Sequence, residues 1–431
     1  MVFSDGTFLS VLLDEPGIFG YIPTLIMAGA EVCLLTLVCL FVYVLNHSFT
    51  SNALESMSLR AGRKSELAAI VTRNLMLAAP DIALTMMAFQ RNSSSADANL
   101  MLRSILHCGW ICLLLIPGLV ASKHMVSIPT SVILRDILSL SMGVSAWTLI
   151  LPWMGISYWS CFILSLIYIM YIVSAWRTTW IAQEQRDLQR ETRLMTKLEL
   201  ITNNTVDSEG GIETLPIRLV GPSEITHTVV TLDIPKYQPL DDVRSQSQRN
   251  SLIEQALSLI CIRAVPGTAT ERLYMVSLVN AFVIEMVLSV SAVLLSENLF
   301  ERIATTQITR LYGPMILALL SKAPHLIPAL SRETHHQLIL DSWGSHIVGL
   351  TIGSSIPWVF GLTMNWVNMR NFSVGTVDII CSAIAMCVLN ILVAVSIFRK
   401  EQSTMSRLGR IDGIICLAAF ACTEIVSLVG T

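Results

Sequence analysis

Leu-Ala-Ala-Pro-Asp-Ile at residues 77–82 and Ser-Lys-Ala-Pro-His-Leu at residues 321–326 lie in the middle of two apolar runs, and together they decide how this chain is built. Each reads Ala-Pro, then an ionisable residue, then an aliphatic one. Proline removes a backbone donor and frees a carbonyl one turn earlier. A charged or titratable side chain in hydrocarbon is costly unless it is paired, hydrated or put to use. One such motif alone would be a plain proline kink. Two at corresponding places in the two halves of a chain imply one broken helix present twice.

Working outward from Pro80, apolar stretches cover residues 21–45, 67–89, 100–121, 133–151 and 155–176. Around Pro324 they cover 273–295, 308–330, 339–364, 374–398 and 411–429. Each is long enough for a hydrocarbon core, which takes about 20 helical residues. The composition agrees: 53% of residues are hydrophobic and only 14% charged, against roughly 25% charged in an ordinary soluble domain. The spacing predicts an all-α polytopic membrane protein of about ten transmembrane helices. Five is an odd number, so the second half enters the membrane from the opposite side, giving two inverted five-helix repeats. The expected division is a short N-terminal segment at 1–20, a first repeat at 21–176, a polar loop at 177–272 and a second repeat at 273–431.

The loop opens with a charged, helical-looking run at residues 183–200 that reads as an extension of the fifth helix. It then passes through Gly210, Pro222, Pro235 and Pro239, a composition expected to be partly disordered. Placing this loop in the cytosol puts nine other Lys and Arg on the inner side and three, Arg91, Arg302 and Arg370, outside. That asymmetry follows the positive-inside rule and puts both termini outside. The acidic N-terminus, with Asp5, Asp14 and Glu15 and no basic residue before the first apolar run, does not read as a secretory signal. A net charge of −3 offers nothing to nucleic acid. All cysteines but Cys261 lie in apolar runs, without metal-binding spacing, and read as small packing residues.

The third helices continue the parallel, with Ser104 lying 24 residues past Pro80 and Ser345 lying 21 past Pro324. A carbonyl freed by proline beside a carboxylate is a natural cation ligand. Asp81 is therefore the leading candidate site residue. No nucleotide-binding loop, nucleophile elbow or metalloprotease motif is present, so an enzyme is not expected. Asn92 and Asn371 open glycosylation sequons in expected outer loops, and Trp153, Trp159 and Trp176 read as interfacial or packing residues.

In these motifs the sequence resembles the K⁺-dependent Na⁺/Ca²⁺ exchangers of the cation/Ca²⁺ exchanger superfamily. That family's first repeat carries Gly-Ser-Ser-Ala-Pro-Glu, set against Met-Leu-Ala-Ala-Pro-Asp at 76–81 here, with Thr85 where the family has its following Thr or Ser. The fourth helix opens with Ile-Leu-Arg-Asp at 133–136, where the family has Leu-Leu-Arg-Asp. In the second repeat the family's Gly-Thr-Ser-Val-Pro-Asp faces Leu-Ser-Lys-Ala-Pro-His at 320–325. Its Gly-Ser-Asn-x-Phe-Asp faces Gly-Ser-His-Ile-Val-Gly at 344–349, ahead of Pro357-Trp358. The framework is kept while the ligands change: the second-repeat acid is His325, the Asn is His346, and the acid associated with K⁺ is Gly349.

The resemblance implies a secondary antiporter that exchanges Ca²⁺ for Na⁺, with K⁺ a further cargo, by alternating access through a degenerate site. Its cation ligands would be Asp81 as metal ligand with Thr85, Ser104, Ser345 and His325. His325 would either couple proton movement, making a cation/H⁺ exchanger, or serve as a hydrogen-bonded structural residue. Lys322 would either approach Asp81 as a charge mimic of the bound cation or snorkel to the inner interface. If it mimics the cation, the protein is a transport-silent, exchanger-like membrane protein acting through interaction. Beyond the transported ions no cofactor is expected. The expected partners are the lipid bilayer, inorganic cations, and either a second copy or another exchanger, in the plasma membrane or an endomembrane. Glu285 is a further intramembrane acid for which neither a family role nor a partner is visible.

Overall fold

The computed structural model describes residues 21–61, 65–90, 95–206, 252–262, 264, 272–303, 306–330, 336–364, 375–398 and 405–430. Both sequons, at Asn92 and Asn371, and the Gly/Pro-containing stretch at 207–251 lie outside the described residues.

The protein is a polytopic α-helical membrane protein. Among the described residues eight helices are long and apolar enough to cross a bilayer: Ile26–Met57, Leu102–Lys123, Thr130–Met154, Tyr158–Ile181, Tyr274–Ser296, Gln337–Thr363, Thr376–Phe398 and Arg410–Val429. Two more are bent pairs, Leu67–Leu77 with Ala79–Ala88 and Tyr312–Ser321 with Ala323–Leu330, which bring the total to ten spans if each pair counts once. The bent pairs are the second and seventh spans and contain the two Ala-Pro motifs. Their breaks, of 45° and 74°, fall at Ala78 and Lys322.

Packing repeats with a period of five spans. The third span packs on the seventh, and the eighth on the second; the fourth packs on the eighth, and the ninth on the third. The first and sixth pack on each other. Hydrocarbon satisfies the outer faces, so Leu138, Ile169, Val279 and Ile391 stand exposed. Small and hydroxylic residues such as Ser139, Ser289, Ser382 and Thr423 face inward, as expected where helices approach closely without a hydrophobic driving force.

One end of the bundle is tied across the halves by two short strands, β1 (Val126–Pro129) and β2 (Met405–Leu408), paired antiparallel with Val126 opposite Leu408. At the same end Lys123 Nζ donates to the carbonyls of Ala329 and Leu330, each at 2.8 Å. A cation there suits the last carbonyls of the seventh span's described helix. Replacing Lys123 by Ala is expected to lower stability by about 1 kcal/mol, read as a fall in the detergent unfolding temperature.

The described residues form two compact units, one within Met1–Thr178 and Ala256–Thr431 and the other within Thr179–Gln255. Within the first unit the first, third and fourth spans each contain a π-helical turn, at Leu45–Thr50, Ile111–Leu115 and Ala146–Ile150. The eighth span breaks at Thr351, between His336–Leu350 and Ile352–Thr363. There Trp147 Nε1 donates to the Leu350 carbonyl at 2.7 Å.

Candidate functional site

The two prolines shape the site through their position in the broken spans. Pro80 and Pro324 stand in the first turns of the half-helices Ala79–Gln90 and Ala323–Leu330. A missing N–H is tolerated there and would not be tolerated mid-helix. Each proline withholds the donor that the carbonyl four residues earlier would use, Met76 in one span and Leu320 in the other. Asp81 and His325 follow directly, so both lie in the first turn of a half-helix, where the helix dipole favours an anion, and the His325 N–H itself donates to the Lys322 carbonyl at 3.0 Å.

The structure brings the two breaks together through side chains. Asp81 Oδ2 accepts from Lys322 Nζ at 2.5 Å, and Asp81 Oδ1 accepts from Ser321 Oγ at 2.6 Å. Asp81 and Lys322 are both 0% exposed. Lys322 therefore does not snorkel to an interface. Burying two charges is costly unless they meet each other with good geometry, and here a lysine supplies the positive charge beside the carboxylate. From the eighth span Gly349 closes the site: a Cβ on it would stand 2.5 Å from Asp81 Oδ2. The carboxylate occupies the space a side chain would need. On the far side of Ser321, Cys108 Sγ lies 3.6 Å from the hydroxyl.

His325 and Ser345 are also brought together, with Nε2 3.0 Å from Oγ. Ser345 Oγ spends its one proton on the Ser342 carbonyl, also at 3.0 Å. His325 Nε2 must then carry a hydrogen and donate it. Thr85 Oγ1 donates to the backbone carbonyl of Asp81 at 2.9 Å, so its hydroxyl bonds to its own helix rather than to the carboxylate. Ser104 is buried in the third span, one turn before Cys108. His346, which takes the place of the family's Asn, is fully buried against Gly109, and neither of its ring nitrogens finds a partner. Among the described residues no group of three or more His, Cys, Asp or Glu converges to hold a metal ion.

A cavity of about 260 Å³ is lined by Tyr43, Asn46, Thr50, Arg73, His325 and Asp341, among others. Its polar wall includes the ion pair of Arg73 Nη2 with Asp341 Oδ2 at 2.6 Å. It reaches His325 but not Asp81 or Lys322. A second, much smaller space of about 20 Å³ touches Pro80, Ser289 and Ser321, room for about one water molecule.

Ser321 and Gly349 complete the surroundings of Asp81 and were absent from the expected ligand set. The sequence carried a signal for Ser321, which stands next to Lys322 in the quoted motif. At Gly349 it marked only the loss of the acid that the resembling family carries there, because nothing in a string of residues says that an absent side chain makes room for another.

No protein-family profile and no curated protein matches the chain. Among solved structures it is similar to an H⁺/Ca²⁺ exchanger described by crystallography, with 14% sequence identity and a TM-score of 0.47, covering 98% of this chain and 92% of that one. At that identity the chemistry has to be read from this chain's own residues.

Proposed function

We propose that this protein is an exchanger-type membrane protein whose central cation site is filled by its own side chain, so that it does not carry Ca²⁺ through Asp81. One observation carries the reading: the carboxylate expected to hold a cation has both oxygens engaged by Lys322 and Ser321, in a fully buried setting. Ca²⁺ takes six to eight oxygens, and the second-repeat acids that would help neutralise it are here His325 and Gly349. The ammonium supplies one positive charge where an ion would otherwise sit. With its centre closed in this way, the protein acts through interaction, with a second copy or with another exchanger.

A second reading keeps one observation in its favour. The 260 Å³ cavity reaches His325, one turn along the chain from Lys322, so solvent approaches the broken seventh span. In that reading the protein exchanges Ca²⁺ for Na⁺, for K⁺, or for H⁺ through His325, using Asp81 after Lys322 withdraws.

Uptake of ⁴⁵Ca²⁺ into proteoliposomes loaded with Na⁺, and separately with K⁺ or at acid internal pH, separates the two. Wild type is expected to match protein-free liposomes, and the double variant Lys322→Ser/His325→Asp to exceed them. Wild-type uptake that disappears in Asp81→Asn would establish the second reading and sink the first.

A further inference from the structure

Glu285, in the sixth span, takes no part in the site described above. Its side chain is 0% exposed. Asn46 Nδ2, on the first span, donates to Glu285 Oε1 at 2.7 Å. Among the described residues Glu285 has no other hydrogen-bond partner and makes no ion pair. A lone carboxylate in a membrane interior needs a positive charge beside it or a proton on it.

The atoms left over indicate which of these is present. Glu285 Oε2 and Asn46 Oδ1 are both buried without a partner. Two acceptors on partners already joined by one hydrogen bond are satisfied together by a single hydrogen between them. A proton on Oε2, donated to Asn46 Oδ1, completes a two-armed acid–amide pair whose other arm is the existing bond from Asn46 Nδ2 to Oε1. A metal ion would need room for itself and its ligands, and Glu285 lines neither cavity described above. A proton needs no such room.

The neighbourhood also gives that proton a route. Asn46 lies in the π-helical turn Leu45–Thr50, a local widening often found at functional positions. Asn46 and Thr50 line the 260 Å³ cavity. One turn beyond Glu285, the unpartnered hydroxyl of Ser289 lines the small space that also touches Ser321, the residue bonded to Asp81. Other titratable or charged groups on the spans packed here include Glu31, Cys33, Cys39, Tyr43, His47 and Glu55 on the first, Arg73 and Asp81 on the second, and Tyr312, Lys322 and His325 on the seventh. Asp81 and Lys322 hold each other, as do Arg73 and Asp341, while Tyr43, His47, Arg73, His325 and Asp341 line the cavity.

We propose that Glu285 is a proton-binding site: it shares one proton with the Asn46 amide oxygen and exchanges it with water through the cavity that Asn46 and Thr50 line. The step adds H⁺ from water to one carboxylate oxygen and returns it there, with no other reactant. It is independent of whether Asp81 ever binds a cation.

Infrared spectroscopy of the full chain in phosphatidylcholine nanodiscs tests it. At neutral pH in choline chloride, wild type is expected to show a protonated-carboxyl C=O band that shifts in D₂O and is missing from Glu285→Gln. Glutamine reproduces both arms of the pair, so this variant should keep the wild-type unfolding temperature. Asn46→Leu removes the amide and should displace the band. Absence of the band, or its indifference to Asn46→Leu, would overturn the proposal. So would its loss when NaCl, KCl or CaCl₂ replaces choline chloride at constant pH, since the occupant would then be a metal ion.

Discussion

Asp81→Asn is expected to cost the folded protein about 3–5 kcal/mol, the usual penalty for leaving one member of a buried ion pair without the other. The reason is local. The replacement amide can still accept from Ser321, but its NH₂ end would face Lys322 Nζ, donor against donor, in a place where both residues are 0% exposed. Among the described residues the lysine makes its ion pair with Asp81 alone. In fluorescence-detected size exclusion after heating, the variant should lose its folded peak well below the wild-type temperature. The double variant Asp81→Asn/Lys322→Gln supplies a neutral amide in place of the ammonium and should recover at least about 2 kcal/mol of the loss. If single and double variants unfold alike, Asp81 and Lys322 do not hold each other in the folded protein, and the self-filled site falls with them.

That coupling was half legible in the sequence. The two Ala-Pro motifs could be found by reading, and the proline chemistry that breaks a helix there is local, so the second and seventh spans appear where expected. Hydrophobic run length is equally local, which is why all ten apolar stretches have helical counterparts. The proximity of Asp81 and Lys322 came from assuming that equivalent breaks in two repeats face each other, an inference about symmetry rather than about residues. What stayed hidden depends on contacts without a sequence period. Glu285 and Asn46 are 239 residues apart, and nothing in either neighbourhood points to the other. The three π-turns have no residue signature. Thr85 stands where the resembling family has a Thr or Ser, and Ser104 at a set distance past Pro80, but neither sign carries a direction: the Thr85 hydroxyl turns back onto its own helix.

Gly349→Ala tests the same site from the opposite wall, without altering a charge. The added methyl would stand 2.5 Å from Asp81 Oδ2, 3.0 Å from its Cβ and 3.1 Å from its Cγ. A flexible side chain would swing aside, but this one is held on its far side by Ser321 and Lys322. Either the eighth span shifts or the ion pair opens. Overpacking alone costs about 1–3 kcal/mol, and separating the buried pair raises the total toward about 4 kcal/mol. The expected result is a loss of thermal stability comparable to that of Asp81→Asn. The losses of Gly349→Ala and of Asp81→Ser, each measured alone, should not add in the double variant Gly349→Ala/Asp81→Ser, where a smaller side chain removes both the clash and the charge that Lys322 was holding in place. Full additivity would mean that the carboxylate is not pressed against Gly349. The glycine, where the resembling family carries an acid, would then be a lost ligand and nothing more. Non-additivity would mean that the loss of that acid and the gain of Lys322 form one structural change: the space a second carboxylate would have filled is what lets the first one close on a lysine.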